Sequence, residues 1–169
     1  AINPTGDNAA HVAFMNNNVN GLETMMHYDI DLNATNDIGS TLAHMAIGTE
    51  SIKMLTLLVE HGGKELLGRA NNDGFTPAFM ATRAGQADVI EFLGENAVDL
   101  QSTDKEGNTP MHLAVAKGQT DIITMLDKYG VNTQVQNNDG EWLDAIADSD
   151  ELMINVGDML SRHTNNKLK

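Results

Sequence analysis

The sequence predicts an all-α solenoid, a stack of similar helix–turn–helix units each opened by a tight turn. Three observations predict it. First, the stretch GNTPMHLAVAKGQTDIITML (Gly107 to Leu126) repeats GFTPAFMATRAGQADVIEFL, which begins at Gly74, 33 positions earlier. A fixed period of this size marks an array of units that bury their apolar faces against each other. Second, helix-start and helix-stop residues recur in the same register. Third, apolar pairs recur at helical spacing in the second half of each unit.

The period extends in both directions. His112 aligns with Phe79, then with His44 across 35 residues, then with His11 across 33. In the other direction it aligns with Ala145, in a degraded copy. Five units follow, at about 3–35, 36–70, 71–103, 104–136 and 137–162, forming one domain.

Each unit begins at a turn glycine: Gly39, Gly74, Gly107 or Gly140. Thr76-Pro77 and Thr109-Pro110 then open a helix. The Thr hydroxyl caps free N–H groups, and Pro stands at the first helical position, where no N–H is needed. Ala46, Ala81 and Ala114 leave room for a neighbouring helix. Gly85 and Gly118 end the first helix as left-handed caps. The second helix carries Met54/Leu55, Val89/Ile90 or Ile122/Ile123, followed by Leu58, Leu93 or Leu126, and Gly62 and Gly130 close it.

These residues resemble the ankyrin repeat, whose pattern is G-x-T-P-L-H-x-A, a helix-ending Gly, then V-V-x-x-L-L-x-x-G-A-D-V-N. The match is closest in the units from Asp104 and Asn71, and looser in the one from Asn36, where Leu42-Ala43 replaces Pro-Leu. In the first unit it rests on register and on Leu32-Asn33. The resemblance implies a curved ankyrin-repeat solenoid with β-turn fingers beside the first-helix face. It also implies that Phe79, standing where the family has His, interrupts a hydrogen-bond network in the third unit. The first unit, with Asn16 to Asn18 in its helix–helix turn, and the last, with Asp148, Asp150 and Glu151, are read as polar caps.

Composition narrows the function. The 169 residues carry a net charge of −14. Nucleic acid and anionic membrane are polyanions and would be repelled, so neither is expected as a partner. With no cysteine, disulfides, thiolate metal sites and cysteine nucleophiles are excluded. Aromatics are only 4% of the chain, so aliphatic residues and ten methionines must fill the core.

No constellation for chemistry survives inspection. His11, His44 and His112 fall one per unit, and the stacking that the resemblance implies sets them too far apart for one metal shell. The two NNDG stretches suggest calcium loops, but the first position of that template would be Arg69 or Val135, and neither can ligate. They are read as turns. Asn33-Ala34-Thr35 fits a glycosylation sequon. No catalytic residue, metal or cofactor is assigned, and the chain is read as a non-enzyme.

What the resemblance implies is a binding face made of turn tips and the exposed side of the first helix. By register this face comprises Asp37, Ile38 and Ser40; Asn72, Asp73 and Phe75; Lys105, Glu106 and Asn108; and Asn138, Asp139 and Glu141, with Trp142. On the helices it comprises Thr82, Arg83, Ala116 and Lys117. Phe75 has two readings, an interface anchor or packing against the neighbouring finger; Trp142 has two as well, an anchor or the plug of the cap. The linker Gly62 to Gly74, two residues longer than its counterparts, is either a plain loop or a contact-making bulge. The expected partner is another folded protein, bound by a monomer. A sharper form is an exported or periplasmic chain that shields its producer by plugging an enzyme, which Ala1 in place of an initiator Met would suit. The alternatives are a cytoplasmic adaptor or scaffold, and a secreted effector that captures a host protein.

Overall fold

A computed structural model describes residues 2–28, 30–61, 63–133 and 135–140. Glu141 and Trp142, the plug expected of Trp142 and the polar cap expected at Asp148, Asp150 and Glu151 lie outside the described residues, as does Gly62.

Four helical pairs follow in order: α1 (Ala9–Met15) with α2 (Val19–Met26), α3 (Leu42–Gly48) with α4 (Ile52–Glu60), α5 (Pro77–Ala84) with α6 (Ala87–Glu95), and α7 (Pro110–Ala116) with α8 (Thr120–Lys128). The first helices pack side by side as one layer, and the second helices as another. This is the stack the 33-residue period predicts.

Local chemistry sets the helix starts. Asn8 accepts from His11 N–H, Thr76 from Phe79 N–H and Thr109 from His112 N–H, each satisfying an otherwise free donor of the first turn. Gly85 caps α5 at φ 79°, and Gly118 stands at φ 65° just beyond α7. The second-helix ends differ: Gly130 follows α8 at φ 73°, whereas Ala97 holds the equivalent place after α6 at φ 55°.

The core is mostly aliphatic and continuous through the stack. Ala10, Ala43, Ala46, Ala78, Ala81 and Ala114 are fully buried between first helices, where small side chains let backbones approach. Leu22, Leu55, Leu58, Ile90, Leu93 and Leu126 fill the space behind them. Close approach also explains Gly94 in α6. A methyl group there would lie 2.4 Å from a ring carbon of Tyr129, one unit on, so only glycine admits that ring.

The described part of the linker is not a plain loop. Lys64–Gly68 makes a 3₁₀ helix whose Leu66 and Leu67 are buried in the core. This short helix packs against α3 and α4 of the second unit as well as α5 of the third. The reading of the first unit as a polar cap needs qualification too. Asn16 to Asn18 do form its helix–helix turn, with Asn17 at φ 48°, but Val12 and Met15 of α1 remain 42% and 53% exposed.

Candidate protein-docking face

The fingers are built by one device used five times. Asn3, Asn36, Asn71, Asp104 and Asn137 each fold a side-chain oxygen back onto backbone N–H groups two or four residues ahead. Such turns need no neighbour to hold their shape. A positive φ calls for glycine at the tips, and at Gly39, where φ is 72°, a Cβ would also collide with Asn72 Oδ1 at 2.3 Å.

Neighbouring fingers are then tied together. Asn72 donates from N and Nδ2 to Ile38 O and Asp37 O, both at 3.0 Å. Asn138 does the same to Glu106 O and Lys105 O, both at 2.9 Å. Asn108 accepts from Asn137 Nδ2 at 3.0 Å and donates to Asp104 Oδ2. Three of the residues read from sequence as contacts therefore use polar groups to fix the spacing of the fingers.

A finger the sequence reading passed over precedes all of these. Asn3 to Asp7 forms the same turn, with Gly6 at φ 76°. Asp7 accepts from Thr5 Oγ1, and at 3.0 Å from both Asn3 Nδ2 and Asn36 Nδ2. The Thr5 hydroxyl above all, with the two amides, holds its carboxyl below the usual carboxylate range although burial acts the other way. The signal was available: Asn3 and Gly6 lie 33 positions before Asn36 and Gly39.

Histidines join the helices to these fingers. Thr41 N–H donates to His44 Nδ1 at 3.1 Å, which leaves Nε2–H to donate to Phe75 O at 2.9 Å in the next unit. His11 reaches Ser40 O in the same way at 3.3 Å. Burial pushes the His44 pKa down, with a smaller opposing effect from the bond to Phe75. Phe79 occupies the matching place in the third unit and has no such donor. Its ring is buried and stacks on Phe75, with centroids 5.1 Å apart and planes at 18°. For Phe75 this packing lies within its own unit, not against the neighbouring finger, and its ring stays half-buried. Arg83 lies over the same ring, its Cζ 5.9 Å from the centroid.

The tips Asp37, Ile38, Asn72, Asp73, Lys105, Glu106, Asn138 and Asp139 are exposed, as are Arg83 and Lys117. Phe75 and Asn108 are half-buried. Ser40 is a correction: it is 2% exposed, its N–H turned to Asn36 Oδ1, so it forms wall and not surface. Thr82 is likewise buried, its hydroxyl donating to Ala78 O at 2.9 Å.

Between the second and third units, Ile38, Asp73, Phe75 and Arg83 converge on an open groove of about 530 Å³. Its apolar surface includes Met45 and Met80, which the sequence reading missed. Each is the residue after the aligned His or Phe, so with Val12 and Leu113 they occupy one register position along the first helices. Lys117 donates to the backbone carbonyl of Arg83 at 3.2 Å, and Lys105 lies 3.8 Å from Asp73. Among the described residues no group of three His, Asp or Glu could hold a metal ion, and no helix is long and apolar enough to cross a membrane.

Stacked helix pairs with tied fingers define a repeat protein whose surface serves protein–protein interaction. The model of ankyrin repeats (3 copies) matches residues 10–104 and 64–139, and the chain belongs to the ankyrin repeat family. Among solved structures, the fold is similar to the ankyrin repeat domain of Bcl-3, of the IκB protein family. The TM-score is 0.86 at 22% identity, over 95% of this chain and 70% of that one. No curated protein matches the sequence.

Proposed function

We propose that this chain docks a folded protein partner on the face made by its finger tips and first helices, as a monomer and without catalysing a reaction. The observation that carries this is the groove between the second and third units, where an exposed isoleucine, a half-buried phenylalanine and two methionines lie beside charged groups. An apolar centre with a charged rim is the anatomy of a protein interface. A net charge of −14 supports a protein over a nucleic acid as the partner.

The test is capture by the full chain, wild type beside an Ile38→Arg/Glu106→Arg variant. Both positions are exposed, so folding should persist. A protein retained by the wild type and lost by the variant supports the face, while equal capture by both sinks it. If that protein is an enzyme, its activity with and without this chain separates shielding of an enzyme from an adaptor role.

A further inference from the structure

The walls of the groove carry more information than its shape. Three residues with acceptor groups line it. Glu50, at the end of α3, is exposed and makes no ion pair among the described residues. Asp73 has only its exposed contact with Lys105, at 3.8 Å. The third is Gln86. Its Nε2 donates to Ile47 O at 3.0 Å, which fixes the amide orientation, while Oε1 is buried with no protein donor. Gln86 is 8% exposed and lines the groove. A buried acceptor without a partner is costly, so it favours a ligand that brings a donor. The same oxygen of Gln119, one unit on, is also without a partner.

Against these acceptors the groove holds one cation, Arg83, kept over the Phe75 ring. Among the lining residues Glu50 and Asp73 stand against one guanidinium, with Lys105 at the rim beside Asp73, so Glu50 is the carboxylate without a cation, on a chain that is itself strongly acidic. The apolar part, with Met45 and Met80, suits a large side chain, since thioethers adapt to varied shapes.

Building on the docking face proposed above, we infer that this groove receives a cationic, apolar segment of the partner protein. A large apolar side chain lies over Met45 and Met80, and adjacent Lys or Arg side chains neutralise Glu50 and Asp73. Such a segment meets both exposed carboxylates of the groove. An acidic segment would pair with Arg83 but set its charge against both carboxylates.

The test uses random twelve-residue peptides displayed and selected on the intact chain, with affinities of the winners measured by fluorescence anisotropy. The winners are expected to place Lys or Arg beside Leu, Met or Phe and to weaken as salt rises. Glu50→Gln should weaken them roughly fivefold, the size of one partly exposed charge pair. Met80→Ala should weaken them about tenfold, and Arg83→Ala should leave them as tight or tighter. Circular dichroism checks that each variant stays folded. Acidic winners that are lost with Arg83→Ala overturn the inference. So do winners sensitive to Ile38→Arg/Glu106→Arg yet indifferent to Glu50→Gln and Met80→Ala, although the docking face itself then stands. If no winner depends on any of these residues, both readings fall.

Discussion

The rings of Phe75 and Phe79 lie stacked, 5.1 Å between centroids, in the one described unit that lacks the helix-to-finger histidine. Where His44 holds the next finger by a hydrogen bond, the third unit instead anchors its own finger by aromatic contact. Phe79→Ala should therefore lower unfolding stability by about 3 kcal/mol, the cost of emptying a buried aromatic site. Phe75→Ala, on a half-buried ring, should cost about 1 kcal/mol, mostly lost stacking. Urea denaturation measures both, and equal losses would contradict the asymmetry in burial.

His44 makes stability depend on pH in a definite direction. Its folded pKa is depressed, chiefly by burial, so the unfolded chain takes up the proton first. Its contribution is fully present above the unfolded value of about 6.5 and is lost as pH falls from there toward the folded value. Stability measured from pH 7.5 to 5 should decline, and His44→Gln should flatten that part of the curve. An unchanged slope in the variant would assign the decline to other groups. Asp7 acts in a separate window: its folded pKa is also lowered, so its contribution is lost only at more acidic pH, below the ordinary carboxylate value.

Ala97 occupies a left-handed position, φ 55°, that the next unit fills with Gly130 at φ 73°. A Cβ there costs about 1 kcal/mol. Ala97 is exposed, so Ala97→Gly removes that strain with little lost packing. The variant should gain about 1 kcal/mol, seen as a higher urea midpoint at unchanged slope. A loss would show that chain entropy outweighs the strain.

Gly94 gives the opposite prediction for the same pair of residue types. In an isolated helix Gly→Ala is favourable by about 1 kcal/mol. Here the added methyl would meet three atoms of the Tyr129 ring at 2.4, 2.5 and 2.6 Å. Overpacking of that kind costs about 1–3 kcal/mol and should win. In a Tyr129→Ala background the same change should become neutral or stabilising, so a double-mutant cycle isolates the clash.

The sequence by itself determined the period, the helix pairs and the turn tips. Their causes lie within a few residues: a Thr cap before Pro77 or Pro110, an Asn or Asp folding its own turn, an apolar pair at helical spacing. It also identified Ile38, Asp73, Phe75 and Arg83 as candidates, because register carries a position from one unit to the next. The tertiary structure alone decided how those candidates are used. Ser40 is sequestered because the finger's side-chain turn and the His11 bond draw it inward, while Ile38, two residues earlier, stays in solvent. Leu66 and Leu67 turn an apparent loop into core because the second and third units together offer them an apolar surface. Met45 and Met80 are 35 residues apart in the chain, and only stacking of α3 on α5 makes them one groove. Local chemistry writes each unit, but a surface shared by two units exists only where they meet.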